Sequence, residues 1–324
     1  MTEDSPQRVG FFLVPGFSMM ALSAASEPLR AANRVTGRKA YSWHLLSAEG
    51  EAVSSSSGFR LVPDAAIAEG GDFALVIIVA SLDVAQYRDQ RVFAWLRRLA
   101  QSKCRLGAIS TGTLLLARAG LLAGYRCTIH WEMQRDFAEE FPEIELTPDL
   151  FAIDRNRVTC GGGIAALDLM LALITERLGP AVAAEVAEQF LHTRIRPSSE
   201  SQRMAVQWRY GVTDRRIVRV VSLMEQNIET PLPTQTLAEI AGISRRQLER
   251  RFLEAFGKTP SRFYVELRLK HARSLLLQST HSILDVALKS GFSSASHFGR
   301  CFRAAYRETP ARLRRVRRMG GAAL

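Results

Sequence analysis

The chain has 324 residues, 47% of them apolar, and carries 43 Lys and Arg against 32 Asp and Glu. That length and apolar content exclude a disordered polyelectrolyte and accommodate two domains of roughly 150 residues each. The positive excess is confined to one third of the chain: residues 1–210 hold 22 basic and 23 acidic side chains, residues 211–324 hold 21 and 9.

The acidic opening, "MTEDSPQRVG", lacks the basic start of a secretory leader. No apolar run approaches the ~18 residues of a membrane span, so no membrane partner is expected. Cys104, Cys127, Cys160 and Cys301 make no C-x-x-C pair and have no His at ligand spacing. Neither a metal, another cofactor nor a disulfide framework is expected, and a reducing cytoplasm fits. Short β-branched or aromatic runs at 8–14, 41–47, 73–80 and 105–110 read as strands buried on both faces. Between them, segments 18–35, 85–101 and 113–119 have helical spacing. "RVTCGGG" (157–163) feeds the helix 164–178, which Gly179-Pro180 ends. The alternation predicts an α/β fold: a flavodoxin-like, mostly parallel sheet sandwiched by helices.

In such sheets ligands bind beyond the carboxyl ends of the strands, and four features converge on that rim. "AISTG" (108–112) is a sharp strand-to-helix turn with Ser110 at its apex. Thr111, Gly112 and the helix amides that follow can face an anion. Glu27 stands on the first helix just before Pro28, and His130 and Trp131 lie in "TIHWEM" at a strand-to-helix junction. Gly161 and Gly162 in "TCGGG" permit close backbone approach. Each feature alone is ordinary, since a lone His is commonly a satisfied core residue and a glycine run a tight turn. Together they predict a small-molecule pocket.

On these motifs, residues 8 to about 190 resemble the ThiJ/PfpI-like, class I glutamine-amidotransferase-like fold. That family places a cysteine at the elbow, a Glu on the first helix and a "T-x-H" downstream. Here the corresponding residues are Ser110, Glu27 and His130. A serine stays protonated near neutral pH and needs a general base oriented by a carboxylate, and no clear orienting acid stands near His130. The expectation is a ligand sensor rather than an enzyme; a serine hydrolase or amidase using Ser110 and His130 is the alternative. A metabolite carboxylate would dock on the amides after Ser110, helped by the Ser110 or Thr111 hydroxyl. Glu27 and the face of Phe17 or Trp131 would take an amine end.

The basic third contains a repeat. Ala238 and Gly242 match Ala287 and Gly291 at an offset of 49; Leu248, Arg250, Phe252, Phe256, Thr259 and Pro260 match Phe298, Arg300, Phe302, Tyr306, Thr309 and Pro310 at an offset of 50. Each copy reads as helix, tight glycine turn and second helix. Ser244 caps the second helix of the first copy, with Gln247 completing a capping box. Leu248, Phe252, Phe298 and Phe302 face inward. Ser244, Arg245, Arg246, Gln247 and Arg250 are then the DNA-contacting set of the first copy. Ser294, Ser296, His297, Arg300 and Arg303 are that of the second. Residues 261–279, without Gly or Pro, form a rigid connecting helix. Two units on one stiff helix can reach successive major grooves roughly 34 Å apart.

From about residue 213 to 315 the chain resembles the AraC/XylS-type DNA-binding domain, above all in "GFSSASHFGRCFR" and the two "TP" endings. Arg307 departs from the family's usual Gly, which puts the setting of the last helix in question. "RLRRVRRMGGAAL" (312–324) is expected to be a frayed basic tail adding non-specific affinity. Segment 193–204, with Pro197 and a polar cluster, reads as a boundary. The expected domains are a sensing and dimerising domain (1–192), a linker (193–212) and an all-α domain with two helix-turn-helix units (213–324).

The combined architecture resembles bacterial regulators of amino-acid and quaternary-amine catabolism. The resemblance implies a homodimeric activator of a catabolic operon that binds double-stranded promoter DNA, contacts RNA polymerase and answers to an amino acid or quaternary amine. A ligand-independent DNA-binding scaffold is the remaining alternative.

Overall fold

The computed structural model describes residues 5–320 apart from 70, 103 and 280. Two compact units divide between Arg203 and Met204. The first contains strands β1 (Gln7–Leu13), β2 (Tyr41–Ser47), β3 (Val53–Ser54), β4 (Arg60–Leu61), β5 (Ala65–Ala66), β6 (Leu75–Val79), β7 (Arg105–Ile109), β8 (Arg126–Cys127), β9 (Glu145–Leu146), β10 (Phe151–Asp154) and β11 (Arg157–Cys160). Its helices are α1 (Met19–Thr36), α2 (Gln90–Gln101), α3 (Thr113–Arg118), α4 (Gln134–Glu140), α5 (Ala165–Leu178) and α6 (Pro180–Gln189).

Seven strands form one sheet in the order β10-β11-β7-β6-β1-β2-β5. Every neighbouring pair is parallel except β10 with β11. Alternation along β1 shows why both faces are covered. Val9, Phe11 and Leu13 join the core beneath α1, α5 and α6. Phe12 and Val14 join the opposite core with α2 and α3.

Helix α1 starts where Ser18 accepts from the Ala21 amide and stops at Gly37, which has a positive φ. The helix expected over 85–101 begins only at Gln90. Asp89 caps it by accepting from the Arg91 amide at 2.9 Å, and 82–86 is a separate 3-10 turn. Among the described residues no helix is long and apolar enough to cross a membrane.

The expected linker 193–212 is not one element. Residues 193–203 lie with the first unit, and Val206–Tyr210 is a helix of the second. The cause is a fully buried carboxylate on α5. Asp168 accepts from His192 Nε2 at 2.9 Å, from the Arg196 amide at 2.8 Å and from the Arg196 guanidinium at 2.6 and 2.9 Å.

The second unit contains α7 (Val206–Tyr210), α8 (Arg215–Gln226), α9 (Thr234–Ile240), α10 (Arg245–Phe256), α11 (Pro260–Gln278), α12 (Ile283–Lys289), α13 (Ala295–Tyr306) and α14 (Pro310–Gly320). Helix α11 packs against α8 and α10 and also against α12, α13 and α14, so it joins two small cores. Both "TP" endings are helix starts: Thr259 and Thr309 accept from the Arg262 and Arg312 amides, and the proline that follows opens the helix. The basic end is therefore helical through Gly320 rather than frayed from Arg312, held by the Thr309 cap and buried Leu313. The last four residues of the expected tail lie outside the described residues.

Candidate functional site

Ser110 follows β7 directly and has φ 62°, a left-handed conformation uncommon for a side-chain-bearing residue. It is 6% exposed. Neighbouring strands dictate the bend. Thr111 Oγ1 donates to the Ser81 carbonyl beyond β6. Gly112 lies so close to β6 that a Cβ there would stand 2.7 Å from the Ile78 carbonyl oxygen. Gly112 is thus a packing glycine. On the other side Gly162 has φ 95°, and a Cβ on it would come within 2.6 Å of Ser110 Cβ. The His130 amide donates to the Ser110 carbonyl at 3.3 Å. The elbow, "TIHWEM" and "TCGGG" therefore meet at the carboxyl ends of β7 and β11.

Burial pushes the His130 pKa below its ordinary 6.5, against a smaller opposing pull from Glu132. The ring is accordingly neutral near pH 7. Its Nδ1 accepts from the Glu132 amide at 3.4 Å, and its centroid lies 5.7 Å from that of Trp131. The nearby thiol is held in its protonated form. Cys160 ends β11, and burial pushes it up to about 12 despite a 3.4 Å hydrogen bond from the Gly162 amide.

Two expected members do not join this cluster. Phe17 is wholly buried in the core, with Ser55 and Ser56 bonded along its backbone, so its ring presents no face to a ligand. Glu27 is exposed, and its carboxylate takes the Arg30 guanidinium at 2.6 Å. Helix phase explains this: Glu27 lies roughly 200° around the helix from buried Ala25.

The sequence reading missed the residues that fill the space beside Gly161. The two N–H groups of Gln202 Nε2 are shared among three acceptors, Thr128 Oγ1 and the Ile129 carbonyl at 2.9 Å and the Asp149 carbonyl at 2.8 Å. A Cβ on Gly161 would fall on the Gln202 carboxamide. The Arg203 guanidinium stacks over Trp131, 4.5 Å from the ring centroid. A cavity of about 170 Å³ lies elsewhere, lined by Gln7, Tyr41, Leu75 and Arg105, which begin strands at the sheet's other rim.

In the second unit the duplicated motifs have matching geometry. Gly242 and Gly291 make the turns with φ 67° and 75°. Ala238 and Ala287 are fully buried where the helices cross. Ser244 and Gln247 form the capping box, at 3.2 and 2.9 Å, and Ser294 accepts from the His297 amide at 3.2 Å. Leu248, Phe252, Phe298 and Phe302 are buried, while Ser244, Arg245, Arg246, Gln247, Arg250, Ser294, Ser296, His297, Arg300 and Arg303 are exposed. Arg245 and Arg250 are partly neutralised by Glu249 and Glu254. Among the described residues Arg246, Arg300 and Arg303 make no ion pair. Arg307 has φ 60° and caps α13 in the conformation that Gly257 adopts after α10. The departure from glycine thus leaves the last helix in place. Arg268, which the periodicity did not single out, donates to the Ser290 and Gly291 carbonyls at 2.9 and 2.6 Å and holds the second turn.

The profile of the DJ-1/PfpI family matches residues 7–176, and that of a helix-turn-helix domain matches residues 237–316. The HTH-type transcriptional regulator CdhR of Pseudomonas aeruginosa is 44% identical over 94% of this chain and 91% of its own. GbdR of the same species is 40% identical over 92% and 82%. The crystal structure of an AraC family transcriptional regulator from Pseudomonas putida superposes with a TM-score of 0.54 at 30% identity, over 57% of this chain and all of the other. A ThiJ/PfpI family protein from Pseudomonas syringae, at 22% identity and a TM-score of 0.51 over 74% and 93%, shares the fold. With relatives this similar along nearly its whole length, the chain belongs to the transcriptional regulators that join a DJ-1/PfpI domain to an AraC-type helix-turn-helix domain.

Proposed function

We propose that the first unit binds a small amino-acid-like or amine metabolite at the Ser110–His130–Gly162 cluster, and that this binding sets the second unit's hold on promoter DNA. The observation that carries the reading is the left-handed Ser110, wedged between Gly162 and the His130 amide at the strand ends. Such strain is retained where surrounding structure enforces it, and it clusters at ligand sites. The backbone amides after Ser110, its hydroxyl and the face of Trp131 are the recognition groups. The ligand biases the regulator between two states by binding one of them more tightly. In the cell this is a cytoplasmic homodimer that activates a catabolic operon together with RNA polymerase.

The same geometry supports a site without catalysis. A serine nucleophile needs a base with a free lone pair and a carboxylate holding its other ring nitrogen. His130 Nδ1 instead accepts a backbone N–H, which assigns the proton of the neutral ring to Nε2. Among the described residues no hydrogen bond joins Ser110 Oγ to His130. Isothermal titration of the full chain with L-amino acids and quaternary amines tests the reading. Binding that weakens at least tenfold in Trp131→Ala is expected; no binding by any member contradicts it. Ester or amide turnover lost in Ser110→Ala would restore the hydrolase.

A further inference from the structure

We propose that Gln202 and Arg203 are a tethered occupant of this pocket, and that the effector displacing them carries an N–H-bearing cation, an ammonium or a guanidinium. The inference rests on the pocket reading above and specifies both its ligand class and its route to the DNA-binding unit. Residues 192–203 form a strap stitched to the first unit. Asp168 holds Arg196, the Leu150 amide donates to the Ser198 carbonyl at 2.8 Å, and Ser201 bridges Asp149. The strap ends by inserting the Gln202 carboxamide against Gly161 and laying the Arg203 guanidinium on Trp131. Each touches a residue adjoining the Ser110 cluster. One residue later the second unit begins.

The chemistry of the cradle defines what can replace Gln202. The Ile129 and Asp149 carbonyls are acceptors. Thr128 Oγ1 directs its own proton to the Thr147 or Asp149 carbonyl, so it also offers Gln202 a lone pair. Three acceptors thus converge on one nitrogen. An amide is an imperfect occupant, because its oxygen comes with it. Gln202 Oε1 is buried, with no hydrogen-bond partner among the described residues. A donor-only cation meets the same acceptors without burying an unpaired oxygen: an ammonium offers an N–H to all three, a guanidinium NH2 to two. Trp131, already stacked on a guanidinium, favours a cation beside the cradle. A trimethylammonium group could use the Trp131 face but has no N–H for the cradle. Its binding would leave buried carbonyls unpaired. The strap therefore selects for its own chemical class, and a ligand that wins releases the chain leading into the helix-turn-helix unit.

Methylguanidinium and tetramethylammonium ions, titrated into the full chain, separate these terms. Trp131 fluorescence is read against a Trp131→Phe control. Removing a competing tether raises apparent affinity by the reciprocal of the fraction already open. The double variant Gln202→Ala/Arg203→Ala should bind methylguanidinium about tenfold more tightly than the parent, and tetramethylammonium more weakly than methylguanidinium. Equal methylguanidinium affinity in the parent and the opened chain would leave the pocket standing and remove the tether. Tetramethylammonium binding as tightly as methylguanidinium in the opened chain overturns the donor-bearing class. If neither ion binds the opened chain, the pocket reading fails and the proposal with it. Gln202→Glu preserves shape but sets a carboxylate against three acceptors. Backbone amides at 198–203 should then exchange with solvent at least tenfold faster, with β1 and β6 unchanged as the folding control. Unchanged exchange there would refute the donor–acceptor account of the strap.

Discussion

Replacing Gly291 by Ala is a quantitative test of how the two helix-turn-helix units are set, because the first repeat contains its own control. Gly242 and Gly291 occupy the same turn with φ 67° and 75°, so alanine meets the same left-handed penalty at both, about 1–2 kcal/mol. Their surroundings differ. A Cβ on Gly242 meets nothing within 4 Å, whereas one on Gly291 falls on the Ile228 carbonyl oxygen and 2.7 Å from Pro231 Cγ. Neither obstacle is a flexible side-chain end, and Arg268 pins the turn through two carbonyls while lying 4.2 Å over the Phe292 ring. Overpacking adds roughly 1–3 kcal/mol at Gly291 alone. Gly242→Ala should therefore cost about 1–2 kcal/mol and Gly291→Ala about 2–5 kcal/mol. Native-state hydrogen exchange of the α10 and α13 amides reads each repeat separately, which avoids assuming a two-state chain. Gly242→Ala costing as much as Gly291→Ala would refute the close docking of the second turn on the Ile228–Pro231 segment.

Further outcomes follow from single residues. Arg307→Gly removes a side chain from a left-handed cap and should stabilise α13 by about 0.5–1 kcal/mol in the same exchange experiment; destabilisation would point to an unrecognised contact of Arg307. His130 is held below its unfolded pKa, so the unfolded chain binds more protons. Its contribution is complete above pH 6.5 and is lost as the pH falls towards its folded value. Urea titrations of the first unit between pH 7.5 and 5 should show this decline flattened in His130→Gln, and an unchanged slope would contradict a buried neutral imidazole. Asp168→Ala leaves the Arg196 guanidinium and His192 without their acceptor and should cost roughly 3 kcal/mol, freeing 192–196 to exchange first. Protection of that segment in the variant would show that the strap is held elsewhere.

What the sequence revealed and what it concealed divide by the range of the interactions. The capping box at Ser244, the glycine turns and the strand runs are decided within a few residues, so spacing alone located them. Duplication helped further, because Phe252 and Phe302 report the same packing position twice. Helix phase was harder. Glu27 stands beside buried Pro28 and Leu29, and only the whole α1 pattern shows that it turns outward. Gln202 was illegible for a different reason. Its partners, Thr128 and Asp149, lie 74 and 53 residues away, and its own neighbourhood is a polar, non-periodic run that local rules assign to a linker. The Asp168 clamp is similarly remote: an acid inside an apolar helix signals a buried partner but not which one.

We propose that the duplicated helix-turn-helix reads DNA sequence through α10 and α13. Selection from a randomised duplex pool by the full chain, followed by sequencing of the bound fraction, tests it most directly. Two helix-turn-helix units joined by α11 lead us to expect enriched sites with two elements about one helical turn, ~10 base pairs, apart. In Arg246→Gln and Arg300→Gln, one element each should lose information or affinity, with a shallower salt dependence. A bound pool without sequence enrichment, or one indifferent to both substitutions, would contradict it.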